Sequence, residues 1–268
     1  MSGRAAGAAP RQAAREELLR EHFATLAALF DPGTFCRITQ LGIGPGWQCW
    51  EAGAGGGTVT AWLAERVGDT GRVVATDVDV WALASSRGVN VEVLRHDVGA
   101  EAAPGSGFDL VHARLVLEHV YDYAAGLEAM AGALRPGGWL LAESADPLLQ
   151  PLACPDESGA EQALANKLRH AIWGVETHSG QKRFGRMLPR LLRAAGLSDV
   201  QAEIRFPLGG PDTIRLQRTL IARRGDRLLD AGLVTPEEID QHLADLTAGG
   251  LDLAAFPVVS AWGRKPSR

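Results

Sequence analysis

The sequence has no long apolar run. Nowhere in its 268 residues do the roughly 18 consecutive apolar positions needed to cross a bilayer occur. A spanning helix is therefore not expected, and neither is a membrane partner. Residues 1–15 are rich in Ala, Gly and Arg and lack the apolar stretch of a secretory signal, so they read as a tail outside the fold. Basic charge is also scarce. Lys and Arg total 27 against 32 Asp and Glu, for a formal net charge of −5, which leaves no electropositive footprint for a nucleic acid. One basic cluster, Arg183, Arg186, Arg190 and Arg193, has the spacing of a single polar helix face, and a solvated surface accounts for it. Cysteine occurs three times, at Cys36, Cys49 and Cys154, too scattered for a disulfide framework or a metal site. Cys49 lies in an apolar stretch and is expected to be a buried thiol. No acidic cluster of metal-binding type is visible either, so no metal is expected. These absences point to a reduced, cytoplasmic enzyme, and the 46% hydrophobic and 22% charged residues are those of an ordinary globular chain.

What is present is an alternation of strand and helix patterns, which demands a parallel sheet with helices on its faces. Gln48 to Ala52 reads as a first strand, with a helix over Gly57 to Val67. Arg72 to Asp77 is a second strand, Val80 to Ser86 a short helix, Val89 to Arg95 a third strand and Phe108 to Ala113 a fourth. A helix over Tyr123 to Leu134 is ended by Arg135-Pro136-Gly137-Gly138, and Trp139 to Glu143 forms a fifth strand. Before these elements, Glu16 to Phe30 has helical spacing and is expected to stop at Asp31-Pro32-Gly33. After them come helices over Glu157 to Trp173 and Lys182 to Ala195, a strand over Asp199 to Phe206, and a last strand over Phe256 to Trp262. Two further helices between Pro211 and Leu246 meet near a Thr235/Glu238 capping box.

The strongest chemical signal is Glu51-Ala52-Gly53-Ala54-Gly55-Gly56-Gly57, between a strand and a helix. Gly53 and Gly55 allow a tight turn and close backbone approach to a ligand, and the next helix offers free N–H groups at its start. Asp77 ends the second strand twenty residues past Gly57, where an acid that grips ribose hydroxyls is expected. Glu51 has no use in binding pyrophosphate, and its charge would oppose one. A cationic, amino-acid-like cofactor suits it better. Asp97, at the end of the third strand, could reach an adenine amine or simply cap a turn. The end of the fourth strand, Ala113-Arg114-Leu115, falls where open α/β sheets bind ligands.

In this order, Glu51 to Gly57, Asp77, His96-Asp97, Phe108-Asp109-Leu110-Val111 and Leu134 to Gly138 resemble the motifs of class I S-adenosylmethionine-dependent methyltransferases over about residues 40 to 145. The resemblance implies a Rossmann-like α/β fold, a seven-stranded mostly parallel sheet in the order 3-2-1-4-5-7-6 with helical lid insertions. It also implies S-adenosylmethionine as cofactor. Glu51, Gly53, Ala54, Gly55 and Gly57 would then line its methionine part, Asp77 with Val78 its ribose side, and Asp97 with Val98 its adenine. Ala113 and Arg114 would lie beside the cofactor, with Leu115 toward the substrate. Glu51 departs from the more usual Asp of the first motif but keeps its charge.

Methyl transfer needs alignment of nucleophile, methyl and sulfonium, and a base only if the nucleophile holds a proton. His119, directly after the fourth strand, is the first candidate base and His178, in a later loop, the second, although each also fits a packing or surface role. Trp173, with His178, is a candidate for substrate contact, and so are Phe184 and Phe206, against the alternative of ordinary core. The expected organisation is a tail and helix over residues 1–35 that caps the site or pairs two copies, and a cofactor-binding core over 36–146. A helical lid follows over 147–186, then the rest of the core over 187–268 with a helical insertion at 207–252. The expected activity is methylation of a small-molecule acceptor, at an oxygen of a bacterial secondary metabolite. Three readings compete. A relative on the same fold could bind the cofactor yet catalyse a cyclisation. A nicotinamide oxidoreductase would want glycine at Thr58 to complete G-x-G-x-x-G. A partner-binding module would leave the whole motif set without a purpose.

Overall fold

Strands buried on both faces read as nearly continuous apolar runs, and those of this chain do. The computed structural model describes residues 8–86, 88–154, 157–175 and 183–267. Seven strands, β1 (Gln48–Ala52), β2 (Arg72–Asp77), β3 (Val91–Arg95), β4 (Phe108–Arg114), β5 (Leu134–Ala145), β6 (Ser198–Arg205) and β7 (Val258–Arg264), form one sheet in the order β3-β2-β1-β4-β5-β7-β6. Strands β1 to β5 pair in parallel, and β7 runs antiparallel to both β5 and β6. The expected sheet order is the observed one.

Period-two alternation sorts the strand residues onto two faces. On one face Trp50, Val74, Val111 and Leu140 pack with helices α3 (Tyr123–Ala133) and α5 (Phe184–Ala194), through Leu127, Met130, Phe184, Leu188 and Leu192. On the other, Cys49, Val73, Leu110, Leu141 and Trp262 meet Ile38 of α1 (Ala8–Gln40) and Val59, Leu63 and Val67 of α2 (Thr58–Val67). Cys49 is a fully buried free thiol, and burial pushes its pKa up. These residues belong to a unit made of Asp31–Gln150, His178–Phe206 and Phe256–Arg268.

A second, helical unit comprises Met1–Phe30, Pro151–Thr177 and Pro207–Ala255. It contains α1 up to Phe30, α4 (Ala160–Val175), α6 (Pro211–Asp230) and α7 (Pro236–Ala248). Ala153, Cys154, Ala165, Leu246, Leu251 and Leu253 form its apolar cluster. Asn166 pins the incoming chain, since its Oδ1 accepts from Cys154 N at 2.7 Å while its Nδ2 donates to Cys154 O at 3.2 Å. The Thr235/Glu238 capping box starts α7 as the sequence suggests.

Three local expectations are corrected. Residues 8–15, expected to be tail, form the start of α1, which begins at Ala8 rather than Glu16. Helix α1 does not stop at Asp31-Pro32-Gly33 but runs on to Gln40 with Pro32 inside it. Proline's fixed φ suits a helix and costs one hydrogen bond, and side-chain bonds from Asp31, Thr34 and Arg37 to the sheet hold the continuation. Strand β5 begins at Leu134 rather than Trp139. Its pairing with β4 jumps from Phe108↔Leu134 to Leu110↔Trp139, so Arg135 to Gly138 bulge within the strand instead of separating it from the helix.

Candidate active site

The order of the strands reverses between β1 and β4, and the crevice beyond their C-terminal ends is where open α/β sheets take ligands. The chain leaves β1 through Gly53, Gly55 and Gly57, at φ of 70°, 53° and 79°. Gly53 and Ala54 donate to Thr76 O at 2.7 and 2.9 Å, which docks the turn on the end of β2. Gly57 caps α2 without a side-chain hydrogen bond, so the first N–H groups of that helix face outward. Asp77, at the end of β2, accepts from Gly55 N at 2.9 Å and from Asp79 N at 3.1 Å. The next residue, Val78, is 57% exposed, an apolar side chain placed at a ligand-facing strand end.

Asp97 caps its own turn by accepting from Gly99 N at 2.9 Å, the bland role open to it, and its side chain remains exposed. Val98 is buried beneath it. Ala113 is buried at the end of β4. Arg114 turns away toward α1, donating to Asp31 Oδ1 at 2.5 Å and Thr34 Oγ1 at 2.9 Å, which leaves its backbone at the crevice. Leu115 has φ of 57°, a conformation that costs a branched side chain about 1–2 kcal/mol. Its N–H donates to Glu143 O at 2.8 Å, and the kink turns the chain sharply off the strand.

A 3₁₀ turn, Leu117–His119, follows. His119 is exposed, whereas its neighbour Glu118 is buried. Glu118 accepts from Ser144 Oγ at 2.9 Å and Ala145 N at 3.2 Å. Burial pushes its carboxyl above the ordinary range, opposed by nearby His119 and by those donors. Trp173 belongs to the helical unit, where it is 9% exposed with the Arg224 guanidinium 5.8 Å from its ring centroid. His178 lies outside the described residues. Phe184 is core, edge-on to Tyr123 at 5.1 Å. Arg183, Arg186, Arg190 and Arg193 are exposed as expected, and Arg186 also pairs with the buried Asp146 at 2.6 Å.

Sequence reasoning missed a buried polar ladder. Glu51, His112 and Glu143 lie on neighbouring strands, pointing to the face covered by α1. His112 is fully buried, with Nε2 3.1 Å from Glu143 Oε2 and Nδ1 3.7 Å from Glu51 Oε1. Glu143 also accepts from Thr34 Oγ1 and Ser260 Oγ, both at 2.5 Å. Burial disfavours the imidazolium, but the hydrogen bond it donates to Glu143 and the carboxylate charges of Glu51 and Glu143 outweigh it and lift His112 to about 9. Burial likewise disfavours the Glu143 carboxylate, yet His112, Arg114 and Ser260 hold it down at about 2. Glu51 Oε2 and His112 Nδ1 are buried without a hydrogen-bond partner. The available signal was an ionisable residue at the same level of three apolar strands.

An acid with one oxygen open beside a glycine turn suits a ligand that carries a cation at that point and repels a phosphate. The sheet order and the family match define the class as S-adenosylmethionine-dependent methyltransferases of the class I fold. The model of the family described as a methyltransferase domain matches residues 12–202, and the chain belongs to that family. Ubiquinone/menaquinone biosynthesis C-methyltransferase UbiE of Enterobacter sp. (strain 638) is 34% identical over 125 residues, 43% of this chain and 50% of that protein. The chain thus spans about half the length of the curated relatives it matches. An S-adenosylmethionine-dependent methyltransferase structure from Mesorhizobium loti is 18% identical with a TM-score of 0.50, covering 84% of this chain and 94% of that one. Phosphoethanolamine N-methyltransferase 2 of Haemonchus contortus, solved with S-adenosyl-L-methionine, is 14% identical with a TM-score of 0.51, covering 88% of this chain and 52% of that one. Among the described residues no helix is long and apolar enough to cross a membrane.

Proposed function

We propose that this methyltransferase holds S-adenosylmethionine along the C-terminal ends of β1, β2 and β3 and methylates a hydroxyl oxygen of a small-molecule acceptor, of the kind found among bacterial secondary metabolites. The buried, unpartnered Oε2 of Glu51 carries the cofactor part of this reading, because it requires a cation or donor that the protein does not supply. Glu51 takes the methionine ammonium, and the turn Gly53, Ala54, Gly55 and Gly57 lets backbone approach the same end. Asp77, already fixed by Gly55, takes the ribose hydroxyls with its remaining lone pairs. Val78 lies against the ribose side, while Asp97 and Val98 flank the adenine. When bound, the cofactor supplies an electrophilic methyl group on a sulfonium.

The acceptor side rests on the kinked exit of β4. Leu115 is placed toward the acceptor, and exposed His119 on the next turn takes the hydroxyl proton as base. Loss of that proton makes a phenol nucleophilic at oxygen and at the ring carbons ortho and para to it. A second reading, methylation at carbon, is therefore open to the same residues, and it is favoured by relatives named as C-methyltransferases.

The test uses S-adenosylmethionine carrying a ¹³C-labelled methyl and a panel of hydroxylated aromatic acceptors. A product heavier by one labelled methyl, coupled through oxygen in the NMR spectrum, supports the first reading, and coupling directly to ring carbon supports the second. Consumption of an acceptor without added mass would overturn both in favour of an isomerising enzyme.

A further inference from the structure

The ladder on β1, β4 and β5 alternates in charge. Glu51, Glu143 and Asp31 are acidic, while His112 and Arg114 between them are basic, so the chain of contacts runs minus, plus, minus, plus, minus. It is thus one positive charge short. The shortage shows at its inner end, where Glu51 Oε2 and His112 Nδ1 are buried without hydrogen bonds. At the other end every group is engaged. Asp31 holds Arg114, Thr34 bridges Arg114 to Glu143, and Ser260 closes the second oxygen of Glu143. The groups packed around the ring are thus Glu51 with Cys49 on β1, Arg114 on β4, Glu143 on β5, Ser260 on β7, and Asp31 and Thr34 on α1.

We infer that His112 is a positioning residue for cofactor binding: held by Glu143, its ring draws Glu51 Oε1 toward itself and leaves the buried, unpartnered Oε2 for the ammonium of the cofactor's methionine end. The inference rests on the assignment of Glu51 to that ammonium. Its physical basis is that a buried carboxylate needs an opposite charge or a donor beside it, and the ring stands beside one oxygen of Glu51 while the other has none. The ring lies on the side away from the ligand, with Nδ1 3.7 Å from Oε1, and leaves Oε2 as the oxygen without a protein partner. The bound ammonium then completes the missing charge. His112 touches neither cofactor nor acceptor in this arrangement and acts only through Glu51.

Calorimetric titration of the full-length protein with S-adenosylhomocysteine, joined to long-range ¹H–¹⁵N NMR of the histidine rings, tests this. Glu51→Gln should weaken binding about tenfold or more, as loss of a charge-assisted bond does, and His112→Gln should weaken it by a similar factor. The His112 ring of the wild type should be doubly protonated at pH 7, and its Nδ1 resonance should move when the ligand binds. Binding by His112→Gln within twofold of wild type would overturn the inference. So would a neutral ring at pH 7 or an Nδ1 signal that ignores the ligand, and these spectra decide the matter if the variant does not fold. Failure of the wild type to bind at all would instead overturn the reading of the cofactor site. Loss of affinity in His112→Gln alone, with Glu51→Gln unaffected, would overturn the route through Glu51.

Discussion

Gly53 has no Cβ, and the place one would take is filled: Cγ2 of Val116 lies 2.1 Å from it. At φ of 70° a side chain is strained as well. Gly53→Ala should therefore destabilise the fold by about 2–4 kcal/mol, the sum of overpacking and left-handed backbone, and should displace the turn that docks on Thr76. Thermal melting with and without S-adenosylhomocysteine measures both effects, and a variant that melts and binds like wild type would disprove the steric account. Asp77→Ala is milder for the fold but should cost the cofactor about tenfold or more in affinity. Calorimetry would show it, and unchanged affinity would remove the ribose assignment. Both residues were legible in the sequence because their roles are local. Gly53 declares a backbone conformation, and Asp77 follows a strand at a readable distance. His112 and Glu143 were not, since 31 positions separate them and only the pairing of β4 with β5 brings them within 3.1 Å.

The C-terminal part of α1 shows why an element boundary was misread. Asp31-Pro32-Gly33 has the local chemistry of a helix stop, but tertiary bonds override it. From Asp31 onward the helix lies on the sheet through Asp31–Arg114, Thr34–Glu143 and Arg37–Glu203, with Arg37 stacked 3.6 Å above the Trp262 ring. Asp31→Asn removes the charge that anchors Arg114, so amide exchange over residues 31–40 should speed up while α2, on the same face, stays protected. Equal protection in wild type and variant would mean that apolar contacts at Ile38 alone hold the segment. The ladder beneath also sets an alkaline limit. His112 is raised to about 9 against an ordinary 6.5, so its contribution is full below pH 6.5 and is lost as pH rises through about 9. Glu143, lowered to about 2 from 4.5, keeps its contribution down to pH 4.5 and loses it as pH falls toward 2. The melting temperature of the wild type should thus fall between pH 7 and 9.5, and His112→Gln should flatten that fall. A slope unchanged by the substitution would place its cause elsewhere.

At the scale of the whole molecule the two units answer acid differently. The sheet unit carries His112 already charged in the folded state, so acidification to pH 5 takes nothing from it. The helical unit buries two histidines that are neutral when folded. Burial, with Arg223 and Arg224 near it, lowers His22 to about 3. Burial, helped by Arg169 and Arg218 and opposed by Asp245, lowers His242 to about 4. Each is protonated more readily in the unfolded chain below pH 6.5, so each withdraws stability as pH falls from 6.5 toward 4, by up to about 2 kcal/mol at pH 5. Around His242 little can compensate: neither ring nitrogen has a partner, and Arg169, 2% exposed, already presents a buried charge with Nε and Nη1 unbonded. The tryptophans make this separable, because Trp173 belongs to the helical unit and the other six to the sheet unit. Subtracting the emission of Trp173→Phe from that of wild type isolates the helical signal. That difference should change between pH 6.5 and 4.5 while the remaining emission, dominated by residues such as Trp50 and Trp262 in the sheet core, holds until lower pH. If both signals move together, the units unfold as one and burial of neutral histidine is not what sets the acid limit. If the Trp173 signal moves first and His242→Phe shifts its midpoint downward, the weak point of the fold in acid is the polar core of α4, α6 and α7.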